Sequence, residues 1–325
     1  IMKTKYFFLF LVYSIQFKNI FAQSQLTTIP FGPGGLNNKV YQNDIATDPS
    51  GNVWVAFEYA GIGKFDGSTW QYFDSTNSCM LSSQVNCIGY FANKIVAGTN
   101  NGLVFLVNSC NIFTSSNSPI SGNKINALSV RNGKLYLGTN NGLCIFDGTI
   151  WTTLTTSNSG LLNNYIHAVG AGPSSILISS SGGLQKFNIN LTWDLMQTFS
   201  PNNYINRIYP DPSGKFYIGS SINQFPLRVI DGLQIKKIGD LWPEQSQAVL
   251  NNCYYGGLKN GENVFLVAPH CLISAQSPTE TYEFGPTYNN LKKFVINSNN
   301  QLFGITNGSN FILSQDLSMA QHSFE

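Results

Sequence analysis

Seven positions about forty residues apart carry side chains suited to recognising a polar ligand: Asn43, Asn86, Asn126, His167, Asn206, Asn251 and Lys292. Each falls at the start of a short apolar stretch, as in Ile125-Asn126-Ala127-Leu128. An asparagine amide both donates and accepts, which suits sugar hydroxyls or a chain of ordered waters. His167 and Lys292 depart from the series and Arg207 follows Asn206, so these three add charge or a switchable proton. Two readings stand. Either the series lines the mouth of a channel and holds a small polar ligand, or each asparagine bonds the backbone locally and closes its own repeat. Repeats copy structural residues readily, which favours the second reading; the departures at His167 and Lys292 favour the first.

Other chemistry is thinly represented. The chain has no G-x-S-x-G, H-E-x-x-H or G-x-x-x-x-G-K pattern. Its three histidines, His167, His270 and His322, form no catalytic or metal-binding spacing. Gly61-Ile62-Gly63 opens no helix, so it is not a dinucleotide fingerprint. The Asp-Pro-Ser-Gly stretches at Asp48 and Asp211 lack the dense carboxylates of a calcium loop, and their aspartates read as turn formers. No catalytic residue, metal site or cofactor is expected. Six cysteines, Cys79, Cys87, Cys110, Cys144, Cys253 and Cys271, match no disulfide framework, and no C-x-x-C pair suggests zinc. Cys253 and Cys271 stand apart from the rest and close together, so they are the expected disulfide if one forms; two free buried thiols are the alternative.

Lys3 and Lys5, the apolar run Tyr6 to Ile15 and the small residue in Ile20-Phe21-Ala22 read as a secretory signal over residues 1–22. The apolar run is too short to span a bilayer. Eighteen Lys and Arg against sixteen Asp and Glu give a net charge of +2 without a basic block, so neither nucleic acid nor an anionic membrane surface is an expected partner.

The element that must position the polar series is a repeat. Gly98-Thr99-Asn100-Asn101-Gly102-Leu103 returns as Gly138-Thr139-Asn140-Asn141-Gly142-Leu143. Strands align at Val53, Ile95, Leu135, Ile176, Phe216, Val264 and Leu302, at intervals of 42, 40, 41, 40, 48 and 38. That period fits a four-stranded propeller blade. Asp-Pro-Ser-Gly, Asn-Asn-Gly and Asp-Gly punctuate each unit, and glycine supplies positive φ at these turns. Trp70 and Trp151 follow Asp-Gly at one phase, with Trp193 equivalent, and read as packing residues of the outer strands. The long fifth interval carries Leu241 to Ser246 outside the repeat. The expectation is an all-β chain in which residues 23–325 form a single seven-bladed propeller without substantial helix. The last blade closes either through Leu26 to Phe31 or through Leu317 to Phe324; the phase of Phe31 favours the first. In the second case the chain would be the N-terminal part of a longer protein.

Ile45 to Ala56 and Lys134 to Asp147 resemble the two-component-regulator propeller repeat, whose pattern is an I-x-x-I strand, then D-x-x-G-x-[LI]-W-[IV]-G-T, then G-L-x-x-[FY]-D. The linker Asn158 to Leu161 also resembles that family's. The resemblance covers nearly the whole expected mature chain, most clearly in the first four units. It implies an exported bacterial propeller of the kind found in extracytoplasmic sensor domains that bind carbohydrate fragments, or in secreted proteins with a further C-terminal module. The chain contains no kinase or regulator segment. The expected function is therefore non-catalytic binding of a glycan or protein ligand at the propeller mouth. Two alternatives remain: a lyase- or hydrolase-type propeller enzyme with an axial site, as in the streptogramin lyases, and a structural spacer of a larger surface protein. The inner strands show no recurrent acid or base, which favours binding.

Overall fold

The structure is a computed structural model of the chain. It describes residues 27–31, 40–106, 110–188, 192–198, 205–220, 225–241, 255–259, 263–267, 271–274, 280–283, 291–306, 311–316 and 321–323. The expected signal over 1–22, Asn251, Cys253 and His270 lie outside these residues.

After β1 (Thr27–Pro30), five four-stranded antiparallel sheets follow, each in chain order. The first is β2 (Gln42–Thr47), β3 (Val53–Phe57), β4 (Ile62–Phe65) and β5 (Trp70–Phe73). The second is β6 (Val85–Phe91), β7 (Lys94–Thr99), β8 (Gly102–Leu106) and β9 (Asn111–Phe113). The third is β10 (Ile125–Arg131), β11 (Lys134–Thr139), β12 (Gly142–Phe146) and β13 (Trp151–Leu154). The fourth is β14 (Ile166–Ala171), β15 (Ser175–Ser180), β16 (Gly183–Asn188) and β17 (Trp193–Gln197). The fifth is β18 (Arg207–Pro210), β19 (Phe216–Ser220), β20 (Phe225–Asp231) and β21 (Gln234–Lys237), followed by a 3-10 turn at Ile238–Leu241. No helix among the described residues is long and apolar enough to cross a membrane.

The rest forms one nine-stranded sheet. It contains β22 (Tyr255–Lys259), β23 (Asn263–Val267), β24 (Cys271–Ser274), β25 (Glu280–Glu283), β26 (Leu291–Ile296), β27 (Gln301–Thr306), β28 (Phe311–Asp316), β29 (Gln321–Ser323) and β1. Two antiparallel runs meet inside it through a short parallel contact of Gly257–Lys259 with Phe294–Ile296. Strand β1 pairs antiparallel with β28, Thr27 opposite Ser314 and Pro30 opposite Phe311, so the N-terminal segment supplies the outer strand of the last run. Strand β29 pairs instead with β25. All seven strands aligned in the sequence are second in their run.

Local chemistry explains the repeat. Thr99 Oγ1 donates to the Gly102 carbonyl at 2.8 Å and accepts from Asn101 N at 3.0 Å; Thr139 does the same for its turn. Gly102 and Gly142 sit at φ +113 and +129, where a side chain would be strained. A Cβ on Gly98 would come within 2.6 Å of Ile125 in the next sheet, so glycine there sets how closely neighbouring sheets pack. Asp48 and Asp211 spend their carboxylates on turn amides, Asn52 N at 3.0 Å and Lys215 N at 2.9 Å. In the Asp-Gly hairpins, Asp66 and Asp147 accept from the following amides while Gly67 and Gly148 take positive φ. Those bonds hold the Asp66 and Asp147 carboxyls below the usual range.

Burial occurs between sheets. Apolar clusters join the first sheet to the second, the second to the third, the third to the fourth and the fourth to the fifth. Another joins the first sheet to the last run, combining Val55 and Phe57 with Val295, Phe303 and Ile305. Phe31, just after β1, enters this cluster and meets Trp70 edge-on at 4.9 Å. Trp70 and Trp151 occupy equivalent places, each opposite a phenylalanine, with ring centroids 5.2 Å from Phe65 and 4.4 Å from Phe146. Both are half-buried.

The disulfide in the described residues is Cys79–Cys110, a pair the sequence reading passed over. It straps the loop after the first sheet to the start of the second sheet's outer strand. Cys87 and Cys144 are buried free thiols, and burial pushes the Cys87 thiol up. The expected Cys253–Cys271 pair falls outside what the structure describes.

Candidate functional site

The first strand of each run carries the polar series, and its geometry comes from a bulge. The pairing register slips between Gln42 and Asp44, Val85 and Cys87, Ile125 and Ala127, Ile166 and Ala168, and Leu291 and Lys293. The residue skipped is Asn43, Asn86, Asn126, His167 and Lys292 in turn. A bulged residue leaves the ladder and its side chain is re-aimed. Five of the residues expected to form one ring are thus the unpaired residues of one repeated bulge. In the sixth run, β22 pairs Tyr255 with Val267, placing Tyr255 where Asp44 stands in the first sheet. Asn251 itself lies outside the described residues.

One cavity of about 1140 Å³ is lined by Asn43, Asn86, Asn126, His167, Asn206, Arg207 and Lys292 together. Residues from the first five sheets and the last run share this wall, so the sheets surround it. Tyr59, Tyr165 and Glu58 line it near the same ends of the inner strands, and Arg131, Asn132 and Pro49 line it at the turns that close their other ends.

The amides are engaged, but not locally as one reading expected. Asn43 Nδ2 donates to the Val85 carbonyl at 2.9 Å, Asn86 Nδ2 to Ile125 at 2.9 Å, and Asn126 Nδ2 to Ile166 at 2.8 Å. Each acceptor is the residue just before the next bulge. The bond therefore ties one sheet to the next rather than closing its own repeat. Lys292 Nζ completes the pattern at the seam, donating to the Gln42 carbonyl at 2.6 Å. Its departure from asparagine thus preserves the structural bond, which removes it as an argument for function. Asn86 Nδ2 also reaches Asn100 Oδ1 at 3.0 Å.

Beside Lys292, the sequence reading missed a second seam contact. Lys293 Nζ bonds Asp44 Oδ1 between the last run and the first sheet. Asp44 also accepts from the amides of Ile45 at 2.8 Å and Ile88 at 3.0 Å. Gln42 Oε1 accepts from Thr306 N at 3.2 Å. Burial works against the Lys293 ammonium, but Asp44, with Tyr209 and Cys87, raises it above the ordinary lysine value. Burial and the neighbouring Arg207 charge lower Lys292, against the opposing pull of Asp44 and Glu58. A signal for the seam was legible: at the phase of Asp44 the charged residues are Asp44, Arg207 and Lys293, with the acid in the first unit and a lysine in the last.

His167 is half-buried, and burial lowers its pKa from the ordinary 6.5. Its Nε2 lies 3.0 Å from Ser181 Oγ and its ring 5.0 Å from Tyr165. Among the described residues no cluster of three or more metal-ligating side chains occurs.

Solved structures share this architecture. One is the extracellular domain of a protein described as a hybrid two-component system from B. thetaiotaomicron, at 16% identity and TM-score 0.61; the match covers 90% of this chain and 39% of that one. Another is virginiamycin B lyase from Staphylococcus aureus, at 10% identity and TM-score 0.64, covering 90% and 99%. A third is the WD40 β-propeller domain of Doa1, at 10% identity and TM-score 0.58, covering 92% and 98%. At these identities the likeness shows the fold alone, an all-β propeller of four-stranded antiparallel sheets. No family model matches the chain, and no curated protein does.

Proposed function

We propose that this chain is an exported bacterial seven-bladed propeller that binds a glycan or protein ligand at the mouth of its axial cavity without transforming it. The seven aligned strands, the two runs within the nine-stranded sheet and the closing position of β1 support seven blades within 23–325. The basic and apolar character of residues 1–22, and the extracellular domain among the structural neighbours, support export. One observation carries the binding reading. Polar and charged side chains at the inner strands of separate sheets converge on a cavity of about 1140 Å³, large enough to admit a small-molecule ligand.

A glycan array followed by thermal shift of the purified chain tests this. A bound glycan should raise Tm, and Arg207→Gln should weaken its binding. Binding unaffected by Arg207→Gln would move the site elsewhere.

The enzymatic reading rests on His167 in the cavity wall beside Ser181, and on the lyases among the neighbours. One of those structures is a catalytically inactive histidine-to-alanine variant. Among the cavity carboxylates here, Asp44 and Asp48 are committed to Lys293 and to the turn at Asn52. Incubation with bound glycan should therefore return it unchanged by mass spectrometry; a His167-dependent product would establish the enzyme instead.

A further inference from the structure

One arc of the cavity mouth is framed by aromatic rings. It runs from the first sheet to the start of the fourth, with Tyr59 at one end, Tyr165 at the other and Asn43, Asn86 and Asn126 between them. Each of these asparagines spends an amide N–H on the next sheet's backbone. That bond fixes the amide plane. Among the described residues nothing donates to the three amide oxygens, which remain as acceptors for hydroxyl groups.

The tyrosines are held through their backbones. Glu58 N donates to the Tyr41 carbonyl and Gly61 N to the Ser83 carbonyl, both at 2.9 Å, so the turn carrying Tyr59 is anchored on either side of it. Tyr165 N donates to Asn163 Oδ1 at 2.8 Å, and the Tyr165 carbonyl accepts from Ser181 N at 3.1 Å. Yet the Tyr59 side chain is 63% exposed, and Tyr165 is only half-buried beside His167. A large ring left in water at a cavity rim, on a backbone already in place, needs little further ordering when a ligand covers it. Charge along this arc is balanced. Glu58 and Lys124, which line it beside the amides, have opposite signs, and Asp44 is taken up by Lys293 and two amides.

Resting on the glycan-binding reading above, we infer that this arc takes a neutral oligosaccharide, with sugar rings stacked on Tyr59 and Tyr165 and hydroxyls donating to the amide oxygens of Asn43, Asn86 and Asn126. A pyranose has C–H groups on its faces and hydroxyls around its edge, the two features that tyrosine rings and fixed amide oxygens complement. Two rings at the ends of the arc with three acceptors between them suit a linear chain of sugars rather than a single one. A peptide strand offers one backbone N–H per residue and would leave the acceptors between the rings poorly used.

The test is calorimetric titration of the purified chain with linear neutral oligosaccharides of the gluco, manno and galacto series, from monosaccharide to hexasaccharide, and with uronate oligosaccharides of matching length. A neutral oligosaccharide should bind most tightly, with affinity rising with length until the ligand reaches both tyrosines. Tyr59→Ala and Tyr165→Ala should each weaken it about three- to tenfold, while Tyr59→Phe and Tyr165→Phe, which keep the ring face, should stay within about twofold of wild type. Circular dichroism melts separate these effects from loss of fold, and Tyr59, being exposed, carries the test if Tyr165→Ala proves unstable. Unchanged binding by folded Tyr59→Ala overturns the stacking and leaves the glycan-binding reading intact. Tighter binding of the uronate series overturns the neutral assignment alone. Absence of binding to every probe overturns both this inference and the glycan reading beneath it.

Discussion

The two sides of the inner wall solve one structural problem with different chemistry. Along the first three sheets the join between neighbours is a neutral asparagine bonded to a main-chain carbonyl, copied three times at 2.8–2.9 Å. At the seam between the last run and the first sheet the same bond comes from Lys292, reinforced by the Lys293–Asp44 pair and the Gln42–Thr306 contact. Copied joins lie between units adjacent in sequence. The seam joins residues some 250 positions apart, whose encounter costs more chain entropy. The first side is a repeat and the second a lock, and charge is concentrated where the lock lies.

The largest expected effect comes from breaking the lock. Asp44→Ala leaves Lys293 without its counter-charge and should destabilise by about 3–4 kcal/mol in urea melts. Lys293 is raised above 10.5, so its contribution is complete below the unfolded value and is lost as pH rises through the higher folded value. The gap between wild type and Asp44→Ala should therefore narrow above pH 10.5. Trp151→Ala, on the regular side, should cost about 3 kcal/mol, toward the low end for a tryptophan because the ring is half-buried. Replacing Cys79 and Cys110 together by serine opens a 31-residue separation and should cost about 2–3 kcal/mol, read as a lower Tm under non-reducing conditions. The smallest effect belongs to a single copied join. Asn126→Ala should cost about 1 kcal/mol, the loss of one side-chain to backbone bond. A cost for Asn126→Ala equal to that for Asp44→Ala would erase the distinction between repeat and lock.

Much of this fold was legible because its punctuation is local. Asn-Asn-Gly, Asp-Gly and Asp-Pro-Ser-Gly each fix a turn through neighbouring atoms, so the second strands could be aligned from sequence. The N-terminal closing strand was legible through the phase of Phe31, which does pack on Trp70. The cavity residues were found because the bulge repeats at constant phase, although nothing in a strand's composition shows that the register slips there. The direction of the amide bonds, across to the next sheet, depends on a neighbour that a single repeat does not contain. Cys79–Cys110 was hidden for the same reason: its partners come from a linker and an outer strand, and six cysteines allow many pairings. Asn251 lies in the sixth unit, outside the described residues, where the sequence departs from the period and a phase argument has no purchase.

The most direct test of the central claim is a crystal structure of the chain with the glycan that binds it most tightly. The account predicts sugar density in the axial cavity, against the side chains of Asn43, Asn86, Asn126 and His167. Density on the outer strands, or at the Asn132 and Pro49 end of the cavity with this mouth empty, would contradict it.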